Sequence, residues 1–348
     1  MKEISFDAQR NQGGNHTWQQ IQRMTISGLP DLRNRIVRTG LLLLSNFAID
    51  YLFFQSRLFI SVKGAIMSKV AIVTDSTACI PKELRTQYQI QVGPQVLIWG
   101  NETFEDGVDI VPDEFYKRLS TTKIMPSSSQ VAFKSFETIF KDIQERGDQV
   151  LAILISEKLS GTIDTAVKVK QFLADAAIEI VDSQTTAMAM GFIVLEVAKA
   201  AEQGASLAEC KALAENLRGN TGIVFAVDTL EFLHRGGRIG GATRLLGSAL
   251  NIKPILELTG GRIEPLEKVR TRSKSIGRIV EIIAEHVGER KPVKLATMHA
   301  NSQEDAIQLE ALATKKIDAD ESILTDLSPV VGTHVGPGTL ALAYIAGA

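Results

Sequence analysis

Apolar blocks alternate with amphipathic segments along most of the chain, and one strand–helix unit is the clearest example. Residues 150–155 are apolar at nearly every position, which is typical of a strand buried on both faces of a parallel sheet. Gly161 interrupts this run, and apolar residues then recur at helical spacing over 163–169. The pattern predicts a buried strand that leads through a short turn into a helix, with Ser160 near the helix N-cap.

The same alternation continues on both sides of this unit. Strands are predicted at 69–74, 92–98, 178–181, 223–227, 252–258, 262–268, 293–298 and 322–327. Helices are predicted at 81–87, 112–119, 131–146, 185–203, 207–218, 229–235, 242–250, 273–287 and 303–314, with polar connections at 104–109 and 120–130. Alternating strands and helices indicate an α/β fold. We expect two domains: 67–219, a mostly parallel sheet with helices on both faces, and 220–348, a mixed α/β domain.

The first 66 residues differ from the rest of the chain. Residues 1–40 are polar without a sustained period, and 41–54 are apolar but interrupted by Asn46 and Asp50. The apolar part is too short and too polar for a membrane span and lies too far along the chain for a signal peptide. We expect an upstream start-codon artefact or a poorly ordered arm. A loose amphipathic helix and a membrane anchor are the alternatives.

Composition and charge narrow the class of function. The chain has 348 residues, of which 45% are hydrophobic and 22% charged, and its net charge is −2. Residues 1–66 are basic, so the remaining body is acidic, which argues against a nucleic-acid function. The two cysteines, Cys79 and Cys210, are too few for a disulfide framework. A cytoplasmic location is therefore expected.

The turn at Ser160 is the first candidate site. The first amides of a helix lack internal partners and favour negative charge, and parallel sheets bind ligands at the carboxyl ends of their strands. Ser160 and the nearby amides are therefore a hypothetical small-anion site, and the alternative is that Ser160 only caps its helix. A phosphate-binding P-loop motif is absent from the sequence. Lys158 and Thr162 occupy the glycine positions of a nucleophile elbow, so Ser160 lacks the signature of an activated nucleophile.

Other polar segments are also candidates. Residues 127–130 read Ser-Ser-Ser-Gln before a predicted helix, and Ser129 is expected to cap it. The glycine-rich segment 236–241 is a weak candidate for a phosphate loop and favours a helix C-cap and a tight turn. Arg238 in that turn is a candidate partner-facing residue. The basic run 268–274 lies at a predicted strand-to-helix junction. It is either a solvated face or a site that binds a ligand or a partner. His334 lies in Gly-Thr-His-x-Gly-Pro-Gly, and no second His or Cys stands at metal-ligand spacing, so no metal is predicted.

Several short motifs together resemble one family. They occupy 73–77, 105–109, 126–130, 159–162, 181–183, 236–239, 269–272 and 332–338. In this order, from Met67 to the end, they are similar to the DegV family of bacterial fatty-acid-binding proteins. Ser128-Ser129-Gln130-Val131-Ala132 stands where the family usually has Thr-Ser-Gln-Pro-Ser. The hydroxyl is retained at Ser128, and whether the changed loop alters the ligand or the partner stays open.

The resemblance implies a binding site between the two domains. One fatty acid would lie there, with its carboxylate at Ser128 and Ser160. By the same resemblance, the polar network around the carboxylate would comprise Ser129, Arg270 and His334. Arg238 would lie on the face presented to a partner. His334 or Arg270 would supply positive charge, and no metal or cofactor is implied. Each buried methylene contributes roughly 0.8 kcal/mol, so a chain of ~16 carbons supplies about 10 kcal/mol before binding costs.

The resemblance also implies a division of labour. The chain would be a lipid-binding subunit and not an enzyme. It would present the fatty acid to a separate dihydroxyacetone-kinase-like fatty acid kinase, which uses ATP to form an acyl phosphate for phospholipid synthesis. Transient membrane contact is compatible with that role. The alternatives are a small-molecule phosphotransferase that acts on its own and, disfavoured by the acidic body, a DNA-associated regulator.

Overall fold

The computed structural model describes residues 68–174, 176–247 and 252–348. The predicted extension at 1–66 lies outside these residues. In chain order the strands are β1 (Val70–Asp75), β2 (Gln91–Gly93), β3 (Val96–Trp99), β4 (Glu102–Glu105), β5 (Ser127–Ser129), β6 (Gln149–Leu154), β7 (Ile178–Asp182), β8 (Thr221–Ala226), β9 (Lys253–Thr259), β10 (Arg262–Val269), β11 (Val293–His299), β12 (Glu321–Asp326) and β13 (Leu340–Ala346).

The helices follow the same order. They are α1 (Lys82–Gln87), α2 (Pro112–Thr121), α3 (Phe133–Glu145), α4 (Thr162–Phe172), α5 (Ala187–Glu202), α6 (Leu207–Leu217), α7 (Glu231–Arg235), α8 (Arg272–Val287), α9 (Gln303–Lys316) and α10 (Pro329–Val335). Short 3-10 helices are formed by Ser76–Ala78 and Gly240–Leu245. The strand–helix alternation predicted from the sequence is confirmed over most of these elements.

The first large sheet is parallel and contains the strand that the apolar run predicts. Its order is β2-β1-β6-β7, and every pairing in it is parallel. Successive β6 side chains face opposite sides of the sheet. Val150, Ala152 and Leu154 pack in one apolar cluster with α3 and α4, whereas Leu151 and Ile153 pack in a second cluster with α5. Burial on both faces explains why nearly every β6 residue is apolar.

The second large sheet is mixed, as predicted for the second domain. Its order is β10-β9-β8-β13-β11-β12, and β11–β12 is its parallel pairing. Helices α8 and α9 pack on one face of this sheet, while α5 contacts β8 and β13 from the other and also contacts β1 of the first sheet. A helix between two sheets has no solvent-facing side, which accounts for the continuous apolar character of α5. The strands of the two large sheets fall before and after residue 219, and the exact domain boundary stays a prediction.

The single strand predicted at 92–98 is wrong. Pro94 and Gln95 separate β2 from β3, and these strands belong to different sheets. A proline inside a strand removes one ladder donor, which favours this break. The polar connections predicted at 104–109 and 120–130 are also wrong in part, because β4 and β5 pair with β3 in a three-stranded antiparallel sheet. Both strands are short and polar, so they lack the apolar alternation that identifies a strand.

Two further differences concern the second domain. In place of the helix predicted at 242–250, the described residues form the 3-10 helix Gly240–Leu245, and 248–251 lie outside the described part. The apolar tail is β13, the strand between β8 and β11, and α10 precedes it without having been predicted. In the part of the chain that the structure describes, none of the helices combines the length and apolar character needed to cross a membrane.

Candidate functional site

Ser160 lies in the turn between β6 and α4, at the carboxyl edge of the parallel sheet. The N-cap residue of α4 is Gly161, so the prediction that Ser160 lies near the N-cap is confirmed, whereas the alternative that Ser160 itself caps the helix is wrong. The Ser160 hydroxyl instead lies 2.9 Å from Oγ1 of Thr162. The side chain is only 8% exposed and lines a cavity. When Thr162 is the donor in this contact, the Ser160 proton is free for a ligand in that cavity.

Ser128 enters the same cavity from the middle of β5. This strand pairs with β3, and Ser128 is half-buried while Ser127 and Ser129 are exposed. Neighbouring residues of a strand face opposite sides, so Ser129 faces away from the cavity that Ser128 lines. The structure therefore does not place Ser129 in the polar network predicted around the carboxylate. Nor does Ser129 cap the next helix, whose N-cap residue is Ala132.

His334 connects the second domain to Ser128. It lies in the last turn of α10, and its Nε2 is 2.6 Å from the Ser128 hydroxyl. The other ring nitrogen, Nδ1, has no hydrogen-bond partner among the described residues. A Cβ added at Gly236 would lie 2.2 Å from Nδ1. The glycine-rich segment therefore provides the close backbone approach that the imidazole needs, in addition to forming a turn.

The cavity combines convergent polar side chains with a largely apolar wall. Ser128, Ser160, Arg238 and His334 are polar, and so are Thr77, Gln95 and Thr186. Most of the remaining wall is aliphatic and includes Ile155, Leu159, Leu233, Ile263, Val330 and Val335. The cavity has a volume of about 60 Å³. Residues from both domains thus meet at one site, with hydroxyl, imidazole and guanidinium groups next to aliphatic side chains.

Arg238 is the positively charged group in the cavity wall. Its Nε donates to the carbonyl of Leu159 at 3.0 Å, and Nη1 donates to the carbonyl of Gly236 at 2.7 Å. Burial of the ring and the charge of Arg238 lower the pKa of His334 to about 4. With Arg238 as its charged neighbour the imidazole is neutral near pH 7, and the expectation that His334 supplies positive charge to a bound carboxylate stays a prediction. The partner-facing role predicted for Arg238 stays a prediction.

Arg270 does not join this group. It follows β10 with an exposed side chain, and the cavity lining among the described residues does not include it. Two residues later, Arg272 turns inward and its Nε donates to Asp305 Oδ2 at 2.8 Å. The basic run is thus mainly a solvated strand-to-helix junction, and the predicted network around the carboxylate is corrected by removing Arg270.

Asp75 contacts three residues of the cavity wall from behind the cavity lining. It was not predicted as a site residue from the sequence. It is fully buried and accepts hydrogen bonds from the amide of Thr77 at 3.0 Å, from Nε2 of Gln95 at 3.2 Å and from the amide of Ile155 at 2.8 Å. All three donors belong to residues that line the cavity. Burial raises the pKa of Asp75, and these hydrogen bonds oppose that effect. The sequence signals for this residue are an acid at the end of a buried strand and its place in the motif at 73–77.

The turn that carries Ser160 is also held from the second domain. The Ser156 hydroxyl donates to the carbonyl of Gly261 at 2.9 Å, and Lys158 Nζ donates to the carbonyl of Gly260 at 2.6 Å. Both glycines form the turn between β9 and β10. Together with the bond from Arg238 to Leu159, these contacts make the position of Ser160 depend on both domains.

Comparisons with known proteins agree with this architecture. The model of the DegV family, described as an uncharacterised protein family, matches residues 69–347. A DegV domain-containing protein of Clostridium perfringens is 36% identical over 279 residues, which cover 79% of this chain and 98% of that protein.

Two solved structures share the fold. One, from Thermus thermophilus, is described as showing fatty acid binding of a DegV family protein; it has a TM-score of 0.76 and 30% identity, and covers 80% of this chain and 99% of its own. The other is DegV of Bacillus subtilis, described as a fatty acid binding protein, with a TM-score of 0.74, 31% identity and coverage of 80% and 99%. With its fold and its family match in agreement, this chain belongs to the DegV family.

Proposed function

We propose that this protein binds a long-chain fatty acid in the cavity between its domains and presents the carboxylate to a separate kinase. The observation that carries the proposal is the convergence of Ser128, Ser160, Arg238 and His334 on one cavity whose remaining wall is mainly aliphatic. A ligand with one small anionic group and a long apolar tail matches a cavity with one polar side and one aliphatic side. The fatty acid binding described for the Thermus thermophilus and Bacillus subtilis proteins supports the same ligand class.

The polar side of the cavity suits a carboxylate. A buried charge is costly unless hydrogen bonds and opposite charge offset its desolvation. The hydroxyls of Ser128 and Ser160 can each donate to a carboxylate oxygen, while Arg238 supplies a fixed positive charge. Neutral His334 protonated on Nε2 donates to the Ser128 oxygen at 2.6 Å, which leaves the single serine proton free for the carboxylate. These groups bind and orient the carboxylate.

The aliphatic side of the cavity suits the acyl tail. Each methylene removed from water contributes roughly 0.8 kcal/mol, so most of the affinity comes from the tail. The cavity of about 60 Å³ is much smaller than the roughly 300–1,000 Å³ typical of ligand pockets. Aliphatic residues such as Leu233, Ile263 and Val335 must therefore move apart when the tail enters.

The proposed partner is a dihydroxyacetone-kinase-like fatty acid kinase that forms an acyl phosphate for phospholipid synthesis. Phosphoryl transfer requires a nucleotide cradle and Mg²⁺ ligands, and the sequence has no P-loop motif. The turn around Ser160 also lacks the signature of an activated nucleophile. We therefore assign catalysis to the partner. The cytoplasmic location predicted from the small number of cysteines is kept as part of the proposal. In this assignment the chain is a binding subunit with the fatty acid as its ligand.

The first test is extraction of lipid from purified protein, followed by mass spectrometry. One fatty acid per chain is the expected result. Protein that carries no lipid and also fails to bind added long-chain fatty acid would contradict the proposal. Calorimetric titration with ATP addresses the alternative of an independent phosphotransferase, because micromolar ATP binding by the protein alone would favour that alternative.

The second test removes both serine hydroxyls. A hydrogen bond to a charged group contributes roughly 1.5–3 kcal/mol, so Ser128→Ala with Ser160→Ala should raise the fatty acid Kd by at least about 100-fold. Acyl phosphate formation with the kinase should be lost as well. Ser127→Ala is the matched control, because Ser127 lies on the same strand with an exposed side chain. Equal Kd values for the double variant and the control would refute the assigned carboxylate site.

A further inference from the structure

A buried acid outside the cavity, Asp106, contacts both domains. It directly follows β4 and is only 2% exposed. Its amide donates to the carbonyl of Gln95 at 2.9 Å, and Gln95 itself donates from its amide to the Ser76 hydroxyl at 3.1 Å. Asp106 is therefore fixed within the first domain by backbone as well as side-chain contacts.

The side chain of Asp106 accepts hydrogen bonds from two directions. The Ser76 hydroxyl of the first domain donates to Oδ2 at 2.7 Å. The amide of Val330, in the first turn of α10, donates to Oδ1 at 3.3 Å, and the hydroxyl of Ser328 donates as well. An ionised carboxylate only accepts and can receive several donors at once. An amide in its place would offer one acceptor oxygen and two donor hydrogens.

Helix α10 is short, and its two ends contact different parts of the first domain. Val330 lies in its first turn and His334 in its last, within a helix of seven residues that is ~10 Å long. Asp106 holds the first turn, and Ser128 contacts His334 at the other end. A displacement of the first turn therefore moves the imidazole relative to Ser128.

We propose that Asp106 is a positioning residue for the ligand carboxylate: it fixes the first turn of α10 and thereby holds His334 against Ser128. This inference rests on the proposed function, because it assigns Asp106 a part in fatty acid binding. Asp106 acts through the helix and does not itself line the cavity. The Glu-Asp-Gly-Val-Asp motif at 105–109 thus gains a role in the binding site.

The protonated form of Asp106 favours the stability of the folded state, whereas the ionised form is the better acceptor for the donors of α10. Burial raises the pKa of Asp106 to about 6, so the folded protein is stabilised by protonation and loses that stabilisation as pH rises through about 6. Asn mimics the neutral form, so Asp106→Asn should preserve or increase stability at pH 7.5 while weakening the contacts to α10. The charged and titratable groups around Asp106 are Asp75, Cys79, Lys82, Glu83, Arg85, Tyr116 and Asp326.

The test compares Asp106→Asn with Asp113→Asn, which removes an exposed acid at the start of α2. The first measurement is an NMR titration of His334 in delipidated protein. Its pKa of about 4 should rise towards 6.5 in Asp106→Asn, because a less fixed helix leaves the ring more hydrated. The second is the Kd for a fluorescent long-chain fatty acid, which should increase about 10-fold. Asp113→Asn should change neither value.

The outcomes separate the two proposals. A His334 pKa and a fatty acid Kd that both stay at wild-type values in Asp106→Asn would overturn the positioning role. A raised His334 pKa in a protein whose wild type binds no fatty acid would support the link to His334 and refute the proposed function. Ser76→Ala, which removes one donor to Asp106, should shift the His334 pKa in the same direction and provides a milder second variant.

A double-mutant comparison tests the route of the effect. If Asp106 acts through the imidazole, adding Asp106→Asn to His334→Gln should increase the Kd by less than about two-fold. A further 10-fold increase in that background would mean that Asp106 acts independently of His334, and it would overturn the inference. Thermal unfolding of each variant at pH 7.5 verifies that the folded state is retained.

Discussion

Fatty acid binding should make His334 take up a proton. In the structure its pKa is about 4, because the ring is buried beside Arg238. Its Nε2 lies 2.6 Å from the Ser128 hydroxyl, and one further hydrogen bond of about 2.7 Å places a bound carboxylate within roughly 5 Å of the ring. At that distance opposite charges gain about 3 kcal/mol for an effective dielectric constant of about 20.

That energy is large enough to change the protonation state. Because 1.36 kcal/mol corresponds to about one pKa unit, the pKa of His334 should return close to its ordinary value of 6.5. The free protein would then hold almost no proton on the ring at about pH 6, and the complex about 0.7 proton. At about pH 8 both forms are neutral, so the uptake should be close to zero.

Calorimetry can measure this uptake directly. Titrations of delipidated protein in buffers of different ionisation enthalpy give the number of protons bound per ligand. His334→Gln should abolish the uptake at about pH 6 and still bind the tail, while Asp106, whose pKa is also about 6, is unchanged in that variant. Binding heats that are independent of the buffer in the wild type, or equal uptake in His334→Gln, would refute the reasoning.

Two other predictions concern the walls of the cavity. Gly236→Ala should weaken fatty acid binding by about 10-fold in a fluorescence titration, because its Cβ would lie 2.2 Å from His334 Nδ1 and displace the ring; an unchanged Kd would mean that the ring position is not needed. Lys158→Ala removes the bond to Gly260 and should speed fatty acid release about three-fold in a stopped-flow displacement assay, since the turn with Ser160 loses one of its contacts to the second domain. Lys168→Ala, an exposed change on α4, is its control, and equal release rates would contradict that role.

The sequence predicted elements whose pattern follows from burial. The run at 150–155 is apolar because β6 packs on both faces, whereas a strand with one solvated face would alternate apolar and polar residues. Strands β4 and β5 escaped prediction because they are short and polar and depend on pairing with β3. Strand β4 follows β3 directly in the chain and pairs with it as a hairpin, whereas β5 comes from a more distant segment. The apolar periodicity of a short polar strand records neither pairing.

The residues of the site were predictable where a motif identifies them, but their direction and charge state depend on three-dimensional packing. Motif order identified Ser128, Ser160 and His334, and the structure brings all three together. Arg270 lies in the same kind of motif, but its direction depends on where β10 ends, and it faces solvent. The neutral state of His334 follows from burial and a neighbouring charge, which only three-dimensional packing determines.

The position of β13 has a consequence for biosynthesis. It follows the other strands of its sheet in the chain, yet it lies between β8 and β11. During synthesis the halves β10-β9-β8 and β11-β12 therefore cannot join until β13 leaves the ribosome. Helix α10, which carries His334, is separated from β13 by a short turn. The strand that joins the two halves of the sheet is therefore directly connected to the helix that brings the imidazole to Ser128.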